Sequence, residues 1–254
     1  MSTPSNPGHT QGVFIGTAGW SVPRACAERF PSQGTHLERY SGVFNAVEIN
    51  SSFYRPHRRQ TYEKWAASTP ENFRFRVKVP KDITHRRKLV ECEDEVANFL
   101  EGVSGLGFRL GPLLVQLPPK LTFDQAMVSA FFGMLRSVHP GLIVCEPRHA
   151  SWFEEDADAL LAKFQVARVA ADPALSEAAA RPGGWTGAAY YRLHGSPRMY
   201  YSAYGPEYVA RLAADVAGLA AGEAWCIFDN TAAGAATDDA LMLASRFHQS
   251  GTPG

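Results

Sequence analysis

The feature that most limits what this chain can fold into is an alternation of two patterns along its whole length. Eight short runs rich in Val, Ile, Phe, Tyr and Ala recur, at Val13–Ile15, Ala46–Ile49, Phe73–Val79, Leu113–Leu117, Leu142–Cys145, Ala167–Ala170, Ala189–Leu193 and Trp225–Phe228. Most are continuously apolar, which is how a strand buried on both faces reads, and that in turn implies parallel pairing. Helix-period segments lie between and after them, at His36–Phe44, Arg58–Ser68, Asp94–Ser104, Asp124–Val138, Trp152–Phe164, Pro206–Ala221 and Thr237–His248. Two helix starts carry the reciprocal capping spacing, Thr122-x-x-Gln125 and Ser151-x-x-Glu154, in which a hydroxyl and a longer polar side chain satisfy each other's free backbone donors. Intervals of about 22 to 39 residues between strands suit one crossover each. The economical fold is α/β, a single (β/α)8 TIM-type barrel of parallel strands. An open doubly wound sheet is the alternative.

With 254 residues, 45% of them hydrophobic, the chain has the material for one large core. No Pro/Gly/Ser linker divides it, so residues 12–250 read as one barrel domain. Residues 1–11 are polar and rich in Pro and Ser, and read as a disordered tail without a positive region or an apolar stretch of a signal peptide. No apolar run approaches the roughly 20 residues of a membrane span, which excludes membrane partners and points to the cytoplasm. Cys26, Cys92, Cys145 and Cys226 are scattered without CxxC spacing, so small buried hydrophobes are expected and not a disulfide or zinc framework. With 25 basic against 25 acidic residues the formal charge is zero, which argues against a protein that coats nucleic acid along its whole surface.

In a parallel barrel the strand C-termini and the loops after them converge on one mouth. Here those positions read Gly16-Thr17-Ala18-Gly19-Trp20, then Glu48 through Tyr54, Lys78 followed by Thr84-His85, Gln116-Leu117-Pro118-Pro119, Glu146-Pro147-Arg148-His149, Asp172-Pro173, Arg192-Leu193-His194-Gly195 and Asp229-Asn230-Thr231. The segments IGTAGW (15–20), VEINSSFY (47–54), FRFRVKVP with the following ITH (73–85), LLVQLPP (113–119), CEPRHASW (145–152), YYRLHG (190–195) and FDNTAAGAA (228–236) resemble the YecE-like, or domain of unknown function 72, family in its order and over almost the whole chain. The resemblance implies a TIM-barrel fold and supplies no reaction. The Gly/Pro-rich segment Arg181–Gly187 before the seventh run departs locally from the pattern.

Glu48, Glu146 and Asp229 fall on the second, fifth and eighth runs and would divide into general acid and base if burial splits their proton affinities. The competing reading is an ion network with Lys78, Arg148 or Arg192. Burying paired charge gains little over apolar packing, so a mouth lined this way favours a binding site. Glu48 and Glu146 are the expected acid/base pair and His194 a proton relay. Lys78, Arg148 and Arg192 would hold anionic groups, while Gln116 and Asn230 orient hydroxyls or amides. Trp20, Asn50, Tyr54, His85, Gly195 and Thr231 complete the expected ligand-binding set.

The loops Gly195–Arg198 and Thr231–Gly234 carry small residues where a barrel often binds phosphate. The expected ligand is therefore small, polar and anionic, including phosphorylated compounds, with hydrolysis or isomerisation as the chemistry. No cofactor is predicted. A divalent metal would need convergent ligands such as Glu48, His85, Glu146, Asp172 and His194. Two basic clusters, Arg55-His57-Arg58-Arg59 and Lys78-Lys81-Arg86-Arg87-Lys88, with nearby aromatics, give a nucleic-acid-binding or nucleic-acid-processing alternative. A glycosidase using two carboxylates and a non-catalytic ligand-binding barrel are further alternatives. Sequence alone leaves the oligomeric state undetermined.

Overall fold

The computed structural model describes residues 12–248. The tail reading of residues 1–11 lies outside the described residues. Parallel strands alternate with helices, as the sequence pattern requires. The strands are β1 (Gly12–Thr17), β2 (Ala46–Ile49), β3 (Arg74–Lys78), β4 (Leu110–Gln116), β5 (Ile143–Glu146), β6 (Val166–Arg168), β7 (Ala170–Asp172), β8 (Gly183–Gly184), β9 (Ala188–Leu193) and β10 (Glu223–Phe228). The helices are α1 (His36–Ser41), α2 (Arg59–Ala67), α3 (Glu93–Val103), α4 (Gln125–Val138), α5 (Glu155–Lys163), α6 (Pro206–Ala217) and α7 (Ala235–His248). Among the described residues no helix is long and apolar enough to cross a membrane.

The single eight-stranded ladder expected from the sequence is replaced by two hydrogen-bonded sheets, ordered β1-β10-β9-β7 and β2-β3-β4-β5-β6-β8. Every pair is parallel except β6 with β8. The sheets meet at two places. Val169 separates β6 from β7, and its N–H still bonds Cys145 of β5 at 2.8 Å while the next three residues pair with β9. At the other junction one backbone bridge, Ala18 with Glu48, with Gly19 N donating to Glu48 O at 2.9 Å, is extended by side chains that stand in for the rest of a ladder. Asn45 accepts from Ile15 N and donates to Val13 O, both at 2.8 Å, and the Tyr40 hydroxyl accepts from Thr17 N at 2.8 Å and donates to Ala46 O at 3.1 Å. Gly16 permits this approach, since a Cβ there would stand 1.9 Å from the Ala46 carbonyl oxygen.

Strand alternation sorts the side chains into two apolar clusters. One faces the helices and includes Val47, Phe75, Val77, Val115, Cys145, Leu193 and Phe228; the other lies on the opposite face and includes Ala46, Leu114, Val144, Ala167, Ala188, Tyr190, Trp225 and Ile227. The four cysteines are free and buried.

Two local expectations are corrected. Asp124, not Thr122, caps α4 by accepting from Met127 N, because the helix begins at Gln125 and its carboxylate is the acceptor one residue before. Ser151 instead accepts from Phe123 N, and α5 starts after Glu154 without a side-chain cap. A reciprocal capping box does form at Thr35 and Glu38 of α1. The Arg181–Gly187 segment supplies β8 and no crossover helix. It lines a cavity of about 690 Å³ with Ala188, Ala189 and Leu219, at the N-terminal end of β9. That end is the one opposite His194, so the segment does not shape the mouth.

Candidate functional site

Side chains on the second of those faces are apolar low on the strands and charged at their C-terminal ends. Two residues after Ala46 comes Glu48, two after Val144 comes Glu146, Tyr190 is followed at the same spacing by Arg192 and His194, and Ile227 by Asp229. The period of two that directs Ala46 and Val144 inward directs these polar residues inward as well. All of Glu48, Glu146, Arg192, His194 and Asp229 are buried.

Arg192 is the hub. Its Nε and Nη2 donate to Glu48 Oε2 and Oε1 at 3.0 and 2.7 Å, its Nη1 to Glu146 Oε2 at 3.1 Å, and its Nη2 also reaches Asp229 Oδ2 at 2.8 Å. Such a fork is what a guanidinium offers and an ammonium does not. The His194 ring spans two carboxylates, with Nδ1 3.0 Å from Asp229 Oδ2 and Nε2 2.8 Å from Glu146 Oε1. Arg148, 15% exposed at its side chain, reaches Glu146 Oε1 at 2.6 Å and His194 Nε2 at 2.7 Å. Arg76 Nη1 pairs with Glu48 Oε2, and its guanidinium lies 4.5 Å from the centre of the Tyr190 ring.

Burial alone would raise the Glu146 carboxyl, but Arg192, Arg148 and His194 outweigh it and hold the group well below the usual carboxylate range. Asp229 is likewise depressed, with Arg192 and His194 overcoming the effect of burial. Neither carboxylate is set up to carry a proton near neutrality.

Lys78 behaves differently. It is 7% exposed, and its Nζ lies 4.2 Å from the centre of the Phe53 ring. None of the ion pairs among the described residues includes it. Burial and then the Arg192 charge lower its amine to about 7, against the opposing pull of Glu146 and Asp229. Ser52 holds the strand end in place by donating to the Lys78 carbonyl at 2.7 Å and to Ile49 O at 2.9 Å.

Other expected residues are distributed around this centre. Trp20 and Asn50 line a pocket of about 340 Å³ that reaches Glu48. His85 packs edge-on to Phe53 at 5.0 Å and hydrogen-bonds the Thr84 hydroxyl, while burial and the Lys78 charge lower its ring below the usual histidine range. Gly195, at φ +91°, donates its N–H to the Tyr204 hydroxyl at 2.8 Å. Asn230 is already committed, donating to Ser202 O and Asp239 Oδ2, so it positions a loop and does not face a ligand with its amide nitrogen. Arg192, with its nitrogens occupied by three carboxylates and 1% exposure, is not free to hold a ligand anion. Gln116 sits half-buried beside Glu146 in the ladder. Tyr54 is 69% exposed, and Thr231 is exposed at a separate pocket of about 200 Å³.

Arg76 was not singled out by sequence reasoning. The signal was present in Arg74-Phe75-Arg76-Val77-Lys78, where the same alternation that buries Phe75 and Val77 toward the helices puts Arg76 beside Lys78. In the two basic clusters, Arg59, Arg86 and Arg87 are paired with Glu63, Asp82 and Glu95. Among the described residues no group of three or more His, Cys, Asp and Glu is arranged to hold a metal ion. The carboxylates nearest His194 are engaged by arginines instead.

This chain is 34% identical over 143 residues to the UPF0759 protein YecE of Escherichia coli K12, covering 56% of this chain and 50% of that protein. It is 29% identical over 149 residues to the UPF0759 protein YunF of Bacillus subtilis 168, covering 56% and 52%. It thus spans about half the length of the curated relatives it matches. A crystal structure of a DUF72 family protein from Thermotoga maritima superposes with a TM-score of 0.77 at 24% identity, covering 94% of this chain and 100% of that one. One from Enterococcus faecalis gives 0.76 at 20%, covering 93% and 95%. These two likenesses establish a shared fold. The family model for the protein of unknown function DUF72 matches residues 14–253, and on that match over nearly its full length the chain belongs to the DUF72 family.

Proposed function

We propose that this protein is an enzyme that performs acid–base chemistry, hydrolysis or isomerisation, on a small polar anionic ligand at the C-terminal ends of its parallel strands. In this reading the two sheets are halves of one barrel, joined by the Asn45 and Tyr40 side chains at one seam and by Val169 at the other. One observation carries the functional reading. Four cations, Arg76, Lys78, Arg148 and Arg192, face three carboxylates, Glu48, Glu146 and Asp229, and Lys78 is the cation left without an ion pair. A buried unpaired ammonium is costly for the fold alone and is the natural partner of a ligand anion.

The roles follow from the pairing. Glu146 and Asp229 remain fixed negative charges that hold Arg192 and His194, Glu48 is committed to Arg76 and Arg192, and the expected proton exchange between Glu48 and Glu146 passes to Lys78, lowered to about 7. Arg148, partly exposed at the rim, and Lys78 hold the anion. The same geometry weighs against a glycosidase, because the Arg192 guanidinium bonds Glu48 through one edge and Glu146 through Nη1, and so stands where a sugar's reacting carbon would need to sit.

A thermal-shift panel of inorganic phosphate, sugar phosphates and short carboxylic acids tests the reading. One anionic class stabilises the wild type, by about 2.7 kcal/mol at 100 times its Kd, and Arg148→Ala abolishes the effect. No stabilisation by any anion in the panel refutes it.

A further inference from the structure

We propose that Lys78 is also a nucleophile, forming a Schiff base with a small aldehyde or ketone that carries an anionic group. This deepens the anion-binding reading and rests on it. The geometry has three parts. Lys78 lies at the C-terminal end of β3 with only 7% of its surface exposed, and no carboxylate forms an ion pair with its amine. One flank of the amine is the Phe53 ring at 4.2 Å, so the apolar wall shields it from solvent without neutralising it. Arg148 presents a partly exposed guanidinium at the same strand ends, fixed by Glu146 and His194.

Amines become nucleophiles when desolvation or a neighbouring cation releases their proton. Both conditions hold here. The groups that bear on Lys78 electrostatically are Arg192 and Arg76, which disfavour its charge, and Glu146 and Asp229, which favour it; His85 also feels the lysine across Phe53. Burial, the largest influence, together with these charges leaves the amine at about 7, where a large share is unprotonated at neutral pH.

The step balances without an oxidant or reductant. The Nζ lone pair forms the C–N bond while the carbonyl π pair moves to oxygen, which ends with the proton Nζ sheds. The carbinolamine then expels that hydroxyl as water, taking one further proton from solvent, and an iminium cation remains. The iminium is an electron sink for bond cleavage at the adjacent carbon, and the ligand's carboxylate or phosphate stays on Arg148.

The test is trapping of the full-length protein with cyanoborohydride and two probes, glyoxylate, an aldehyde with a carboxylate, and formaldehyde, which has no charge. Peptide mass spectrometry reads the modified lysines at neutral pH. Glyoxylate is expected to modify Lys78 at least about tenfold more than the exposed Lys64, Lys88, Lys120 and Lys163. Arg148→Ala lowers glyoxylate labelling of Lys78 and leaves formaldehyde labelling unchanged. Lys78→Arg, which keeps the charge, loses the adduct with both. Labelling of Lys78 no greater than that of the surface lysines, with either probe, overturns the proposal. Should phosphate still stabilise the wild type through Arg148 in that case, the anion site survives and the nucleophile alone falls. Selective labelling by formaldehyde but not glyoxylate overturns the anionic substrate class.

Discussion

Replacing Lys78 by Met should make the protein more stable at neutral pH, and the expected size follows from the site. Burial and Arg192 take the amine from its ordinary 10.5 to about 7. That is a factor of roughly 3000 in proton affinity, or about 5 kcal/mol at about 1.36 kcal/mol per tenfold. Because the folded-state value is depressed, the unfolded chain holds more protons between those two values, so stability rises as pH climbs from about 7 to about 10.5 and is lost on the way down. At neutral pH the wild type therefore carries nearly the full penalty, about 4 kcal/mol. Methionine fills a similar volume against Phe53 without charge, but it forfeits the cation–π contact, worth about 0.5–2 kcal/mol. The net expectation is a gain of about 2–4 kcal/mol near pH 7, shrinking to under about 1 kcal/mol near pH 10. Urea denaturation of both proteins at the two pH values measures it. A Lys78→Met protein less stable than wild type near pH 7, or an advantage that does not shrink toward pH 10, refutes the reasoning.

Arg192→Met removes the hub and leaves Glu48, Glu146 and Asp229 short of positive charge in a buried site, so it should cost about 3–5 kcal/mol in denaturant; a cost under about 1 kcal/mol would mean that the network does not hold the strand ends together. His139, lowered from 6.5 to about 4 by burial and by Arg136, must stay neutral in the fold. Its depressed value means that stability present above about 6.5 is lost as pH falls toward about 4, and His139→Gln should flatten that part of the pH–stability curve, while an unchanged slope would show that another group titrates there. Glu146 and Asp229, held low by the arginines, add a second loss that begins as pH enters the usual carboxylate range, where the unfolded chain takes up protons, and continues below it.

Periodicity made the strands and helices legible because each of them buries a face, and a buried face repeats. Seven of the eight apolar runs coincide with single strands, and the eighth, Ala167–Ala170, spans β6, Val169 and the start of β7. What periodicity could not show was how the sheets join. Apart from one backbone bridge between Ala18 and Glu48, the β1–β2 seam depends on the Asn45 amide and the Tyr40 hydroxyl imitating backbone, and side-chain geometry of that kind leaves no pattern in sequence. Capping was misplaced at α4 for a related reason. Thr122 and Asp124 are both able to cap, and where the chain turns decides between them.

In the site, strand-end position brought Glu48, Glu146, Arg148, Arg192, His194, Asp229 and Lys78 to attention, and they lie together. Their division of labour was not legible. A carboxylate with two guanidiniums and a carboxylate with none look alike in sequence, and the difference decides whether it exchanges a proton. Arg76 escaped notice because a strand was read as a block of apolar residues when its alternate positions carried the charge.

The central claim is that Lys78, not a glutamate, is the group poised to exchange a proton at an anion-binding mouth. NMR titration of the protein with 13C-labelled lysine side chains follows the Lys78 Cε resonance directly, assigned by its loss in Lys78→Met. The account predicts a midpoint at about 7 that moves upward when a bound anion stabilises the ammonium. A midpoint near the ordinary 10.5 would contradict it.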